Sequence, residues 1–120
     1  MNKRKTGDHY ERIAADYLQK QGCKILEHSF RNRFGEIDLI AKDGDCVVFT
    51  EVKYRKTAAE GHPLEAVTLS KQKTICKVAD YYRVTHGIGE FDPIRFDVIG
   101  ILGDEISWVK NAFYYQRPGR

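Results

Sequence analysis

Long apolar runs are missing from this sequence, and so are the cysteine pairs that staple small secreted domains. No apolar stretch approaches the roughly 20 residues that span a bilayer, so no membrane-crossing helix is expected. Behind the basic start Met1-Asn2-Lys3-Arg4-Lys5 comes Thr6-Gly7-Asp8 rather than an apolar core, which argues against a secretory signal. Cys23, Cys46 and Cys76 are an odd number without metal-ligand spacing. Cys46 and Cys76 fall on expected core faces, and all three read as reduced thiols of a cytoplasmic protein. Only three prolines occur, and neither sign of charge dominates, with 20 Lys and Arg against 17 Asp and Glu. The formal net charge of +3 is compatible with a polyanionic partner without demanding one.

What is present fits one globular domain over residues 1–120. Apolar residues make up 42% of the chain, enough for a core, and a chain of this length buries roughly two-thirds of its unfolded surface without staples. Ile13, Ala14, Tyr17 and Leu18 recur at helical spacing, with Asp8 and Glu11 as a capping box at the start and Gly22 closing the end. Short strands are expected at 24–30, 36–42 and 45–53, the last two joined by an Asp43-Gly44 turn. Residues 54–62 read as a mobile basic loop, Pro63 as the start of a short turn, and the region from about Ser70 as a helix that stops at His86-Gly87. Strands at 94–102 and 105–109 follow. The order is α-β-β-β-α-β with a small extra strand, an α/β sandwich around a mixed sheet with flanking helices.

Register across the expected turn pairs residues whose numbers sum to 87, which places Asp38 opposite Phe49 and Glu36 opposite Glu51. Asp38, Phe49, Glu51 and Lys53 then share one side of the sheet. Three carboxylates and an ammonium in one place are costly for structure alone, and a divalent cation with hard oxygen ligands resolves the repulsion. Asp38 and Glu51 suit Mg²⁺ or Mn²⁺, and Lys53 could assist an attacking water. A cross-strand ion pair on a surface face is the plainer alternative. Glu11 divides between capping and metal support. Glu36 reads as a group behind the ligands or the partner of an arginine, and Lys71 as a solvated lysine or a phosphate contact. Asp97 reads as a partner of Arg95, and Phe113 as core packing. Basic residues Arg31, Arg33, Arg55, Lys56 and Lys71 are the candidates for nucleic-acid contact.

Gly35-Glu36-Ile37-Asp38-Leu39-Ile40 followed by Phe49-Thr50-Glu51-Val52-Lys53 resembles the PD-(D/E)XK superfamily of restriction-endonuclease-like folds. More narrowly, the chain is similar to the YraN-type bacterial family of predicted endonucleases, which resemble archaeal Holliday-junction resolvases. Gly7 with Glu11, Lys71-Gln72, Arg95-Phe96-Asp97-Val98 and Asn111-Ala112-Phe113 extend the match over nearly the whole chain. The resemblance implies a three-layer sandwich with Asp38 and Glu51 as metal ligands, Lys53 as the catalytic lysine, and Glu11, Glu36, Lys71 and Gln72 as auxiliary residues. Ile37 stands where the superfamily's name expects proline, and Cys76 stands where exonuclease-like relatives carry a tyrosine after Gln72. The expected activity is therefore endonucleolytic hydrolysis of structured or branched DNA. The competing expectation is a nucleic-acid-binding or protein-interaction module of the same fold with little turnover. A homodimer would supply the two symmetric sites that paired cuts require.

Overall fold

The computed structural model describes residues 3–117, with side chains from Gly7 onward. Helix α1, Lys3–Lys20, turns Ala14, Ala15 and Leu18 into the core. It ends as expected: Gly22 takes φ +97°, the Cys23 N–H donates to the Leu18 carbonyl at 3.0 Å, and the Gly22 N–H donates to that of Gln19. Its start differs from expectation. The helix begins five residues before Asp8, so Asp8 and Glu11 lie inside it and no capping box forms. The side chains of the basic trio Lys3-Arg4-Lys5 lie outside the described residues.

Five strands follow as one mixed sheet in chain order: β1 Lys24–Asn32, β2 Gly35–Asp43, β3 Cys46–Arg55, β4 Ile94–Leu102 and β5 Glu105–Val109. Only the central β3 and β4 run parallel. The connection between them carries 3-10 turns at Ala58–Glu60 and Pro63–Ala66, then helix α2, Leu69–Thr85. Residues 54–62 are thus not a loop throughout: β3 runs to Arg55, and Thr57 accepts the Ala59 N–H to start the first 3-10 turn. Thr68 caps α2 by accepting the Lys71 N–H at 3.2 Å.

Each helix covers one face of the sheet. Ile37, Ile40, Phe49, Phe96 and Val98 pack against Ile75, Val78 and Tyr82 of α2, with Phe113 stacked on Phe96. Leu39, Ala41, Ile99 and Ile101 pack against α1. Cys23 and Cys76 are buried and Cys46 is half-buried at the start of β3. Among the described residues, no helix is long and apolar enough to cross a membrane.

A polar network clamps the end of the sheet away from the acidic cluster. Asp97, fully buried, accepts two bonds from Arg95, one from the Trp108 indole and one from the Asn111 N–H, all at 2.8–2.9 Å. Arg95 also reaches Asp43 at 2.9 Å. A buried carboxylate with four donors is fully satisfied, and its role is structural.

Candidate active site

The turn between β2 and β3 is Gly44-Asp45, one residue later than expected. Gly44 takes φ +62° and Asp45 does not share the positive φ, the pattern of a type II′ hairpin turn. Pairing therefore sums to 89 (43 with 46, 40 with 49). The expected facings of Asp38 with Phe49 and Glu36 with Glu51 are overturned: Ile40 faces Phe49, and Glu36 pairs with Arg31 across β1.

A second irregularity decides where the carboxylates point. Ile37 and Ile40 both belong to the α2 side while Leu39 and Ala41 belong to the α1 side, so strict alternation breaks at Asp38. Opposite it on β1, Ser29 adopts φ +49°, a strained value for a non-glycine residue. Asp38 consequently joins Glu36 and Glu11 on the α1 side, whereas Glu51 faces α2. The four residues Asp38, Phe49, Glu51 and Lys53 do not share one face.

Asp38 still reaches both groups because it stands where the sheet splits. Cross-strand pairing of β2 with β3 stops at Leu39 and Thr50, and beyond it the Val52 N–H donates to the Asp38 carboxylate at 2.8 Å. Oxygen atoms of Glu11, Glu36 and Asp38 lie within 4.8 Å of one another. Glu51 feels the Asp38 carboxylate from the other side. Its Oε2 is 3.6 Å from the Lys53 ammonium and 3.4 Å from that of Lys71, yet has no hydrogen-bond partner among the described residues.

Burial of these acids has an electrostatic consequence. Glu51 is 3% exposed, and desolvation, followed by the Asp38 carboxylate, pushes its pKa up to about 8 against the pull of Lys71 and Lys53. Glu11 is likewise pushed up to about 8, by burial and then by Asp38, although Ser29 Oγ donates to both its oxygens at 3.1 Å. Glu11, Glu36 and Asp38 offer hard oxygen donors close enough together to suit a divalent cation such as Mg²⁺ or Mn²⁺.

Glu11, Glu36 and Asp38 open into a cleft of about 530 Å³ bounded by α1 and the ends of β1 to β3, and Glu51 lies behind its lining. Lys53, Arg31 and Arg55 line it. Lys71 reaches the site from α2 through Glu51, while Gln72 turns away and donates to the Val67 carbonyl at 3.2 Å. Arg33 and Lys56 lie outside the lining. The sequence reading passed over Ser29 and the stacked rings of Tyr10 and Tyr54, whose centroids are 3.7 Å apart on the cleft wall. Tyr54 follows Lys53 directly and was hidden by the expectation of a loop. Ser29 is half-buried on a strand without clear alternation, so it gives no pattern to read.

A family model described as "Uncharacterised protein family UPF0102" matches residues 10–101. A UPF0102 protein of Lachnoclostridium phytofermentans is 45% identical over 113 residues, covering 94% of this chain and 96% of its own. Another from Clostridioides difficile is 44% identical, covering 94% and 100%, and one from Vibrio cholerae is 42% identical, covering 93% and 94%.

Proposed function

The chain belongs to the uncharacterised protein family UPF0102, the YraN-type family, and from that premise we propose that it is a Mg²⁺- or Mn²⁺-dependent phosphodiesterase that cuts DNA. The observation that carries this reading is the gathering of Glu11, Glu36, Asp38 and Glu51 at the split between β2 and β3, with Lys53 3.6 Å from Glu51. The cation would be held by Asp38 and Glu51, with Glu11 and Glu36 in support. Bound there, it would polarise a phosphoryl oxygen and stabilise the charge that builds during hydrolysis. Lys53 presents its N–H donors to the cleft, where they can orient the attacking water or neutralise a non-bridging oxygen. Arg31 and Arg55 can contact the flanking phosphates, which confers affinity without sequence choice.

The PD-(D/E)XK placement, the endonucleolytic mode and the branched or otherwise structured substrate belong to the same proposal and rest on the sequence resemblance. Cleavage of labelled linear, flapped, gapped and four-way-junction DNAs tests it, with Mg²⁺, Mn²⁺ or chelator and with Asp38→Asn and Lys53→Ala alongside. Metal-dependent cutting lost in both variants is the expected result. One observation favours a second reading: the Lys53 and Lys71 ammoniums stand 3.6 and 3.4 Å from Glu51, an ion-pair cluster that needs no turnover. A binding module is the conclusion if the folded protein binds these DNAs equally well in chelator and cuts none.

A further inference from the structure

The two residues that close β1 onto β2 are Arg33 and Phe34, at a tip that belongs to neither core cluster. Phe34 is 37% exposed, with the Arg33 guanidinium 4.9 Å and the Lys77 ammonium 5.5 Å from its ring centroid. Two features fix the backbone of the turn. The Asn32 side chain accepts the Phe34 N–H at 2.8 Å, and Gly35, at φ +153°, lets the backbone press against α2 so closely that a Cβ there would meet Thr74 at 2.7 Å.

We propose that this tip is a stacking site for an unpaired base of the DNA strand that runs through the cleft. A part-exposed aromatic ring with two cations held over it is a surface that single-stranded nucleic acid can engage: the exposed part of the ring takes a base and the cations take its neighbouring phosphates. The tip adjoins the cleft along the chain: Arg31 and Glu36, two residues before Arg33 and two after Phe34, both line it. At about 3.3 Å per residue the backbone of the tip lies roughly 7–10 Å along the strands from those two lining residues. Bases of an intact duplex are already stacked on one another, so Phe34 engages only a strand that has left its partner. The site thereby selects flaps, gaps and branches over plain duplex. This inference rests on the nuclease reading for its substrate, but binding can be measured without turnover.

The test is fluorescence anisotropy in chelator with a labelled single-stranded oligonucleotide and the same sequence as duplex, using the whole protein. Phe34→Ala should weaken single-strand binding about tenfold or more and leave duplex binding within about twofold. Phe34→Tyr should retain single-strand affinity. The proposal is overturned if Phe34→Ala weakens both DNAs alike or neither, or if the wild-type protein binds no single strand. Cleavage is scored separately. A protein whose single-strand affinity depends on Phe34 but that cuts nothing keeps the stacking site and loses the nuclease reading; a protein that cuts DNA while ignoring Phe34 does the reverse.

Discussion

Raising the pH of the metal-free protein from 5 to 8 should make it unfold more readily, and Glu51 is a principal cause. In the folded protein Glu51 keeps its proton to about pH 8, while the ordinary value for the side chain is 4.5. Between those values the native state holds a proton that the unfolded chain has released, so stability falls as pH rises. The contribution is fully present below about pH 4.5 and is lost as pH passes through 8. At about 1.4 kcal/mol per pH unit, the loss from Glu51 by pH 7 is on the order of 3 kcal/mol. Glu11 acts in the same direction. Both lie against the Asp38 carboxylate, so their contributions are not independent and a total of about 3–5 kcal/mol is expected rather than a simple sum. That is a large share of the roughly 5–15 kcal/mol that holds a domain together. Urea unfolding followed by circular dichroism in chelator, at steps across this range, reads the effect directly. Glu51→Gln should remove about half of the slope, and Mn²⁺ should restore stability at pH 8. A stability that is flat or rises with pH, or a slope unchanged in Glu51→Gln, would refute the reasoning.

Because Glu11 lies inside α1 rather than at its start, Glu11→Gln should stabilise the metal-free protein at pH 8 and weaken Mn²⁺ binding in calorimetry; a capping role predicts instead a loss of about 1 kcal/mol at every pH. Asp97→Ala strips Arg95 of its buried partner and leaves the Trp108 and Asn111 donors unpaired, so a loss of about 3–5 kcal/mol should appear in the denaturation midpoint. Gly35→Ala forces a Cβ toward Thr74 and should cost about 1–3 kcal/mol in thermal unfolding, with Thr74→Ala recovering part of it.

Much of this architecture is legible in the sequence because local patterns and tertiary packing agree. The strands at 94–102 and 105–109 and the α2 apolar face emerge where expected, since period and turn residues point the same way. The Arg95 partner of Asp97 and the core packing of Phe113 were also readable. Register was not. Asp-Gly and Gly-Asp turns offer the same residues, and choosing between them moves every cross-strand partner by two. The break in alternation at Asp38 leaves no trace in composition, because it is set by Ser29 and by the carboxylate taking the Val52 N–H. Sequence therefore identified the acids of the site but assigned them to the wrong faces. The start of α1 misled for a related reason: Asp8 is a good cap by type, and only the helix extending back to Lys3 shows that it does not serve as one.

The cleft has a consequence for the order in which the chain assembles. Every residue that lines it lies between Gly7 and Arg55, where each strand pairs with its neighbour in the chain across a two-residue turn. Such closures cost little entropy and form early, whereas the parallel pairing of β3 with β4 must wait for residues 56–93 to cross over. The acids are thus brought together while water still screens them. Their desolvation falls to the later step, when α2 lays Lys71 against Glu51. If that order holds, pH should act on the unfolding rate more than on the folding rate, and chevron plots at two pH values would separate the two.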